Sequence, residues 1–425
     1  MRGTLAAAAL GALGVAAACS DSADTPTGTS ATRTGPAPAR PGVDLAYRGW
    51  RTGSELADGD LDGTVAESDA VVFDRPTGTL EYNGTRYEYA TWTSPEVEID
   101  FSATELVESW TARTPGKSWI QLELQAVTDR GDTTGWYNLG RWAADDNEIR
   151  RASVDGQDDA NGQVVQMAYV TDPGVGLRSY RVRALLLRPV DGTDRPALTS
   201  LGVVAGPRPD KTAEIALSEP GPAKGKILDV PRYSQLLHLG EYPEWGGGGE
   251  AWCSPTSTSM VLAYWKAGPK PEDYAWVVPT TDPVIDFAAR NCYDYTYRGT
   301  GNWSFCTAYA GRWGVNAFVT RLRDLREAEE FIAAGIPLVM SIAFEPGEVP
   351  GLNYSTDGHL LVLVGFTADG DPVLNDPAAP TNDAVRKVAG RREFETHWQR
   401  FGVGGVYVIH PPSVPLPEPP EPANW

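Results

Sequence analysis

Cysteine is scarce in this chain, with four residues in 425 and no two of them spaced as Cys-x-x-Cys. Four are too few for a disulfide scaffold, and the missing pair spacing argues against a structural zinc site. Histidine is equally sparse, with four residues and no His-Glu-x-x-His pattern. Basic residues are outnumbered, Lys+Arg 36 against Asp+Glu 56, for a formal net charge of −20. No basic stripe is left to neutralise phosphates, which excludes nucleic acid as a partner and polybasic attachment to a membrane. Beyond the N-terminus no apolar run reaches the roughly 18 residues of a membrane-spanning helix. What is present is ordinary for a globular chain, 41% hydrophobic and 22% charged residues over a length that suits two domains, possibly three.

Met1-Arg2 leads into the short apolar run Leu5–Ala18, which stops at Cys19 and gives way to Ser, Asp, Thr and Pro. Residues 1–18 are predicted to be a signal peptide, because the run is too brief to span a bilayer stably. The segment Val15-Ala16-Ala17-Ala18-Cys19 resembles a bacterial lipobox with its branched residue one place early. Acylation of Cys19 and plain cleavage at the Ala-x-Ala site both stay open. The expectation is an exported, bacterial-type protein, either a cell-surface lipoprotein or secreted, touching the membrane only through a lipid anchor. Residues 19–44, rich in Thr, Ala, Pro and Gly, read as a flexible tether.

Residues 45–205 show short period-2 runs broken by turn formers. Ile120, Leu122, Leu124 and Ala126 make one stripe, Tyr180, Val182, Ala184 and Leu186 another, and Val97, Ile99 and Phe101 a third. Half-buried strands at this spacing predict an all-β sandwich or jelly roll. Trp110, Trp119, Trp136, Tyr137 and Trp142 are candidates for sugar stacking, against the plainer role of filling the core. Contact with cell wall or glycan would come through this half. Asp58, Asp60, Asp62 and Asp69 have calcium-loop spacing, with Gly63 at the turn, so calcium-dependent adhesion is weighed against a solvated acidic loop.

A Pro/Gly/Lys-containing linker, residues 206–226, separates this half from residues 227–412, where the periodicity changes. Asp324–Ala334 reads as a capped helix, and Leu338–Ala343, His359–Phe366 and Val403–Ile409 read as strands, an α+β pattern. The proline-rich tail, residues 413–425, has no period and is predicted to be disordered or polyproline.

The chemistry concentrates in this second half. Cys253 opens the segment Cys253-Ser254-Pro255-Thr256-Ser257, and Pro255 suits a first helical turn. A cysteine at a helix N-terminus meets unpaired N–H groups and the positive end of the helix dipole, both of which favour the nucleophilic thiolate. His359 opens the apolar run 360–366, which holds its ring rigidly for service as a general base. A hairpin turn at 368–371 returns the chain so that Asp376, 17 residues on, comes beside His359 to orient its ring.

The order Cys253, His359, Asp376, the Gly-His-Leu-Leu-Val-Leu-Val-Gly-Phe run and the Asn375-Asp376-Pro377 corner resemble the peptidase C39-like family of papain-like cysteine peptidases. The resemblance covers about Ile227–Pro412. It implies a papain-like fold and cleavage of an amide bond in a peptide or protein substrate, with no cofactor. It extends to Val230-Pro231-Arg232-Tyr233-Ser234-Gln235, where the family's glutamine contributes to the oxyanion hole, so Gln235 takes that role by resemblance. Two departures stand out: Ser254 replaces the family's glycine, and the Gly246–Gly249 insertion must loop out for Gln235 to reach the cysteine.

Peptidase and peptide amidase fit the same three residues, and a transferase would use them too. The alternative from another class is an inactive papain-like half in a cell-surface binding module. His238, His397 and His410 are expected to be structural or solvated. In an exported protein Cys292 and Cys306 are expected to form a disulfide, leaving Cys253 free. Tyr293, Tyr295, Tyr297 and Trp303, in the segment between those two cysteines, either line a cleft or pack beneath it.

Overall fold

The computed structural model describes residues 43–278 and 280–425. The signal peptide, Cys19 and all but the last two tether residues lie outside the described residues. Two antiparallel sheets of seven strands each come first. One contains Ala46–Trp50, Thr64–Ala66, Val71–Phe73, Glu105–Arg113, Gly162–Val165, Ala168–Thr171 and Ala197–Gly206. The other contains Asp60–Asp62, Gly78–Tyr82, Thr85–Thr93, Val97–Ala103, Trp119–Thr128, Tyr137–Trp142 and Leu177–Pro189.

The alternation in sequence becomes an inside and an outside. Ile120, Leu122, Leu124 and Ala126 on one strand and Tyr180, Val182, Ala184 and Leu186 on its neighbour are buried between the two sheets. The result is a β-sandwich. Trp110 and Trp142 fill its core, Trp119 and Tyr137 are also buried, and Trp136 lies half-exposed under the Arg183 guanidinium. Each fully buried aromatic removes about 150–250 Å² from water, worth up to about 4–6 kcal/mol. Core filling therefore absorbs most of the residues considered for sugar stacking.

The structure does not assemble the weak calcium candidate. Asp60 and Asp62 lie in a strand hydrogen-bonded to Thr85–Thr93, Asp60 pairs with Arg181 at 3.0 Å, and Asp69 pairs with Arg113 at 2.8 Å. Asp58, Asp60, Asp62 and Asp69 form no converging group of metal-ligand atoms among the described residues. Asp60 and Asp62 share a face of that strand, but an extended backbone paired along its length cannot curl its carboxylates round one ion as a calcium loop does.

The second half carries α1 (Cys253–Tyr264), α2 (Val284–Cys292), α3 (Trp303–Gly311), β1 (Asn316–Arg321), α4 (Leu325–Ala333), β2 (Leu338–Phe344), β3 (Thr356–Phe366), β4 (Pro372–Asn375), β5 (Arg386–Val388), α5 (Arg391–Gly402) and β6 (Gly405–His410). The strands form one antiparallel sheet in the order β1-β6-β2-β3-β4-β5. Asp324 caps α4 by accepting from the Glu327 amide, and Gly335 ends it with a positive φ. Leu360–Phe366 of β3 is buried throughout, which is why its sequence is continuously apolar.

The strand Glu105–Arg113 is buried on both faces because the sandwich packs one side and this second half the other. Leu106 and Trp110 point into the sandwich, while Val107 joins the C-terminal core. Phe305 and Ala308 of α3 reach back into the sandwich. Glu105 and Arg321 meet across this contact at 2.6 Å, with Arg321 almost fully buried and its other amine on the Pro207 carbonyl. Removing one partner strands a buried charge. Glu105→Ala is expected to destabilise the fold by about 3–5 kcal/mol, read as a lower urea midpoint at unchanged m-value.

The tail expectation is also corrected. Pro412 leads into a segment that docks: Trp425 packs against Phe331 at 5.0 Å, and Asn424 donates to the Arg321 carbonyl and to Glu327. The Ala423 carbonyl accepts from the Tyr47 amide. Val414, Leu416 and Trp425 supply apolar anchors that a count of prolines does not weigh.

Candidate active site

Four segments converge, and each is held by its own backbone and core contacts. In α1 the first intrahelical bond runs from the Thr256 amide to the Trp252 carbonyl. The Cys253 and Ser254 amides therefore stay outside the helical ladder, and Pro255 has none to lose. Ser257 Oγ donates to the Leu360 carbonyl at 3.0 Å, locking α1 to β3 one residue beyond His359. That bond sets the register between Cys253 and His359.

Strand β4 pairs with β3 as Val362 with Asn375 and Leu363 with Leu374, with a bulge before Gly365. Asp376 follows directly after β4 and comes back beside His359, with Nε2 to Oδ1 at 2.9 Å. The Cys253 thiol lies close enough to the same imidazole for His359 to lower its titration. Cys253 is half-buried, His359 is 4% exposed and Asp376 is fully buried.

The electrostatics follow from this stacking. Burial by itself pushes the Cys253 thiol up, but the His359 hydrogen bond and charge, with the Leu360 and Ser254 backbone groups, bring it below its ordinary value. Burial pulls His359 down, yet its hydrogen bonds to Asp376 and Cys253 outweigh that and raise it to about 10. Burial disfavours the Asp376 carboxylate, and His359 together with Lys387 reverses this and holds it at about 2. The three groups favour a thiolate, an imidazolium and a carboxylate in line.

Two further side chains complete the Asp376 surroundings, and the sequence offered no motif for either. Tyr354 donates its hydroxyl to Asp376 Oδ1 at 3.1 Å and stands edge-on to the His359 ring at 5.7 Å. Lys387 reaches Asp376 Oδ2 at 3.2 Å. Both come from segments that only the folded sheet brings near.

Gln235 occupies a 3-10 turn, Gln235–His238, buried against the turn Gly249–Ala251 just ahead of Cys253. Its amide donates to the Glu250 carbonyl at 3.0 Å, and its backbone N–H donates to the Pro377 carbonyl at 2.9 Å. Ser234 Oγ donates to the Ala379 carbonyl and Asn375 donates to the Pro231 carbonyl at 2.9 Å. The Val230–Gln235 segment is thus stitched to the Asn375-Asp376-Pro377 corner. The insertion makes this possible: Gly246, Gly247 and Gly248 all have positive φ, and a Cβ on Gly249 would lie 2.2 Å from the Gln235 carbonyl.

Ser254 does not face the thiol. Its hydroxyl is fully buried, donating to Cys306 Sγ at 3.0 Å and sharing a hydrogen bond with the Tyr407 hydroxyl at 2.9 Å. The expected disulfide is absent: Cys292 and Cys306 are free, buried thiols on α2 and α3. Cys306 donates to the Thr300 carbonyl at 3.3 Å and burial, with Cys306 alongside, pushes the Cys292 thiol well up. The helices bury these thiols as small core groups.

Of the intervening aromatics, Tyr293 is buried, Tyr295 bonds Asp146 of the sandwich at 2.8 Å and Trp303 packs near Tyr407. Tyr297 is 44% exposed and feels the charge of Cys253. His397 and His410 bond backbone carbonyls, at 3.2 Å to Ala343 and 2.8 Å to Val414. His238 is buried and bound to carboxylates.

Compared with models of known families, residues 227–406 match the Peptidase C39 like family. Residues 46–206 match the Peptidase C39 N-terminal domain. A search among curated proteins returns no match.

Proposed function

Because the chain belongs to the peptidase C39-like family, with its C-terminal half as the peptidase-like region, we propose that it is a papain-like cysteine peptidase or peptide amidase. The observation that carries this reading is the single imidazole of His359 held between the Cys253 thiol and the Asp376 carboxylate. In the reaction Cys253 Sγ attacks the amide carbonyl carbon and the carbonyl oxygen becomes an oxyanion. The Cys253 N–H, free of the helix ladder, and the second amide hydrogen of Gln235 serve that oxygen. The imidazolium of His359 gives its proton to the departing amine as the C–N bond breaks. Water then attacks the thioester, His359 takes a proton from it, and the acid leaves as the thiolate re-forms. Asp376 keeps the ring aligned and stabilises its charge throughout. Tyr297, exposed beside Cys253, is the aromatic offered to substrate.

Alkylation tests the ion pair. Iodoacetamide is expected to label Cys253 well before the buried Cys292 and Cys306, with a rate already high below the ordinary thiol range because the thiolate is stabilised there. A labelling rate that climbs only through the ordinary thiol range, or that favours another cysteine, would sink the proposal. Digestion of a peptide library by the untreated protein, lost after alkylation, checks the activity itself.

A further inference from the structure

A second buried cluster lies next to the turn that carries Gln235. His238, at the end of that turn, has no exposed side-chain surface, and its Nδ1 stands 3.0 Å from Glu241 Oε2 and 3.0 Å from Asp286 Oδ2. Asp286, on α2, is fully buried, yet neither of its oxygens accepts a properly directed hydrogen bond among the described residues. The single Nδ1 stands at the same distance from both carboxylates, yet only the contact to Glu241 has hydrogen-bond geometry. Two acidic groups and an imidazole nitrogen converge on one point, and the buried acid has only the His238 ring beside it with no well-directed hydrogen bond, an arrangement that a cation at the centre would satisfy.

We propose that His238 Nδ1, Glu241 and Asp286 bind one divalent transition cation, of which zinc is the type. The donor atoms all lie within 4.8 Å of one another. A tetrahedral zinc with ligands at about 2.0–2.1 Å spaces its donors by about 3.4 Å, so a modest adjustment from the present separations accommodates it. One imidazole nitrogen with two carboxylates suits zinc or manganese, whereas calcium calls for an all-oxygen shell of six to eight. Glu241 is about one-third exposed, which opens a path for the ion and room for a water as fourth ligand, while Thr280 donates to its other oxygen at 2.9 Å.

The position gives the ion a structural consequence. It would tie the Gln235–His238 turn to α2, and the His238 ring lies 6.1 Å from Trp252, the residue before Cys253. A bound cation there braces both supports of the oxyanion site. This inference concerns binding and does not depend on the peptidase reading.

Equilibrium dialysis of the EDTA-treated full chain against zinc tests it, in a Cys253→Ala background so that the thiol–imidazole pair does not compete. One zinc per chain is expected, with a raised melting temperature at saturation. Asp286→Asn and Glu241→Gln are each expected to weaken binding by at least about tenfold, and Glu241, being partly exposed, provides the variant least able to disturb folding. Cobalt in place of zinc should show no thiolate-to-metal charge-transfer band. Absence of saturable binding, binding unchanged in both variants, or a strong thiolate band that moves the metal to Cys292 and Cys306 would each overturn the proposal. So would a melting temperature that responds to pH and not to zinc, since the cluster would then be held by a shared proton.

Discussion

Cys253→Ala is expected to lower kcat/KM for an amide substrate by at least about 10⁴-fold, because nucleophile and base act as one unit and neither replaces the other. The substitution leaves α1 intact, since alanine is a good helix former and Cys253 contributes only part of its surface to the core. The melting temperature should move little. Cleavage assays on the variant and the parent at matched protein concentration measure the ratio. A variant retaining more than about one-hundredth of the parent activity would place the nucleophile elsewhere. An unchanged KM with a collapsed kcat would show that Cys253 acts in the chemical step and not in binding.

Asp376→Asn comes next in size, with kcat expected to fall by about 10²–10⁴-fold. The carboxylate does two things that an amide cannot: by accepting from Nε2–H it fixes the tautomer that leaves the other nitrogen of His359 to exchange a proton with Cys253, and it stabilises the charged ring. The sign of the pH effect follows. In the parent the active ion pair exists above the Cys253 titration, which lies below the ordinary thiol value, and below that of His359, at about 10. Activity therefore rises through the first and falls through the second. Removing the negative charge of Asp376 lowers the His359 pKa, so the alkaline limb should move toward neutral pH. A pH profile of kcat/KM that keeps its alkaline limb near 10 in the variant would assign that limb to another group. Lys387, left facing a neutral amide with its own side chain partly in water, is not expected to unfold the protein.

The positions of Tyr354 and Lys387 show where motif reading stops. Tyr354 lies in the connection between β2 and β3, and Lys387 lies on β5 beyond the Asp376 corner. Neither has a neighbour in sequence that signals chemistry. Both meet Asp376 because the sheet order sets β3, β4 and β5 side by side, a pairing that depends on long-range register. The His238 cluster has the same origin: Glu241 is three residues away, but Asp286 arrives from α2. Histidine counted along the chain gives no hint of that carboxylate.

What the sequence determined by itself was whatever a local period or a local turn can specify. Alternating apolar residues at 120–126 and 180–186 decided which face of each strand is buried, since side chains on a strand point in opposite directions in turn. Pro255 after Cys253 marked a helix start, and the turn at 368–371 with a 17-residue spacing brought Asp376 back to His359. The tertiary structure decided everything that needs a partner distant in the chain. It dissolved the acidic calcium pattern into strand pairing, because Arg181 and Arg113 come from other strands to meet Asp60 and Asp69. It kept Cys292 and Cys306 as thiols inside packed helices, and it anchored the tail through Trp425 on α4. Burial and ion pairing are properties of the surfaces that meet, and one segment read alone contains only one of the two surfaces.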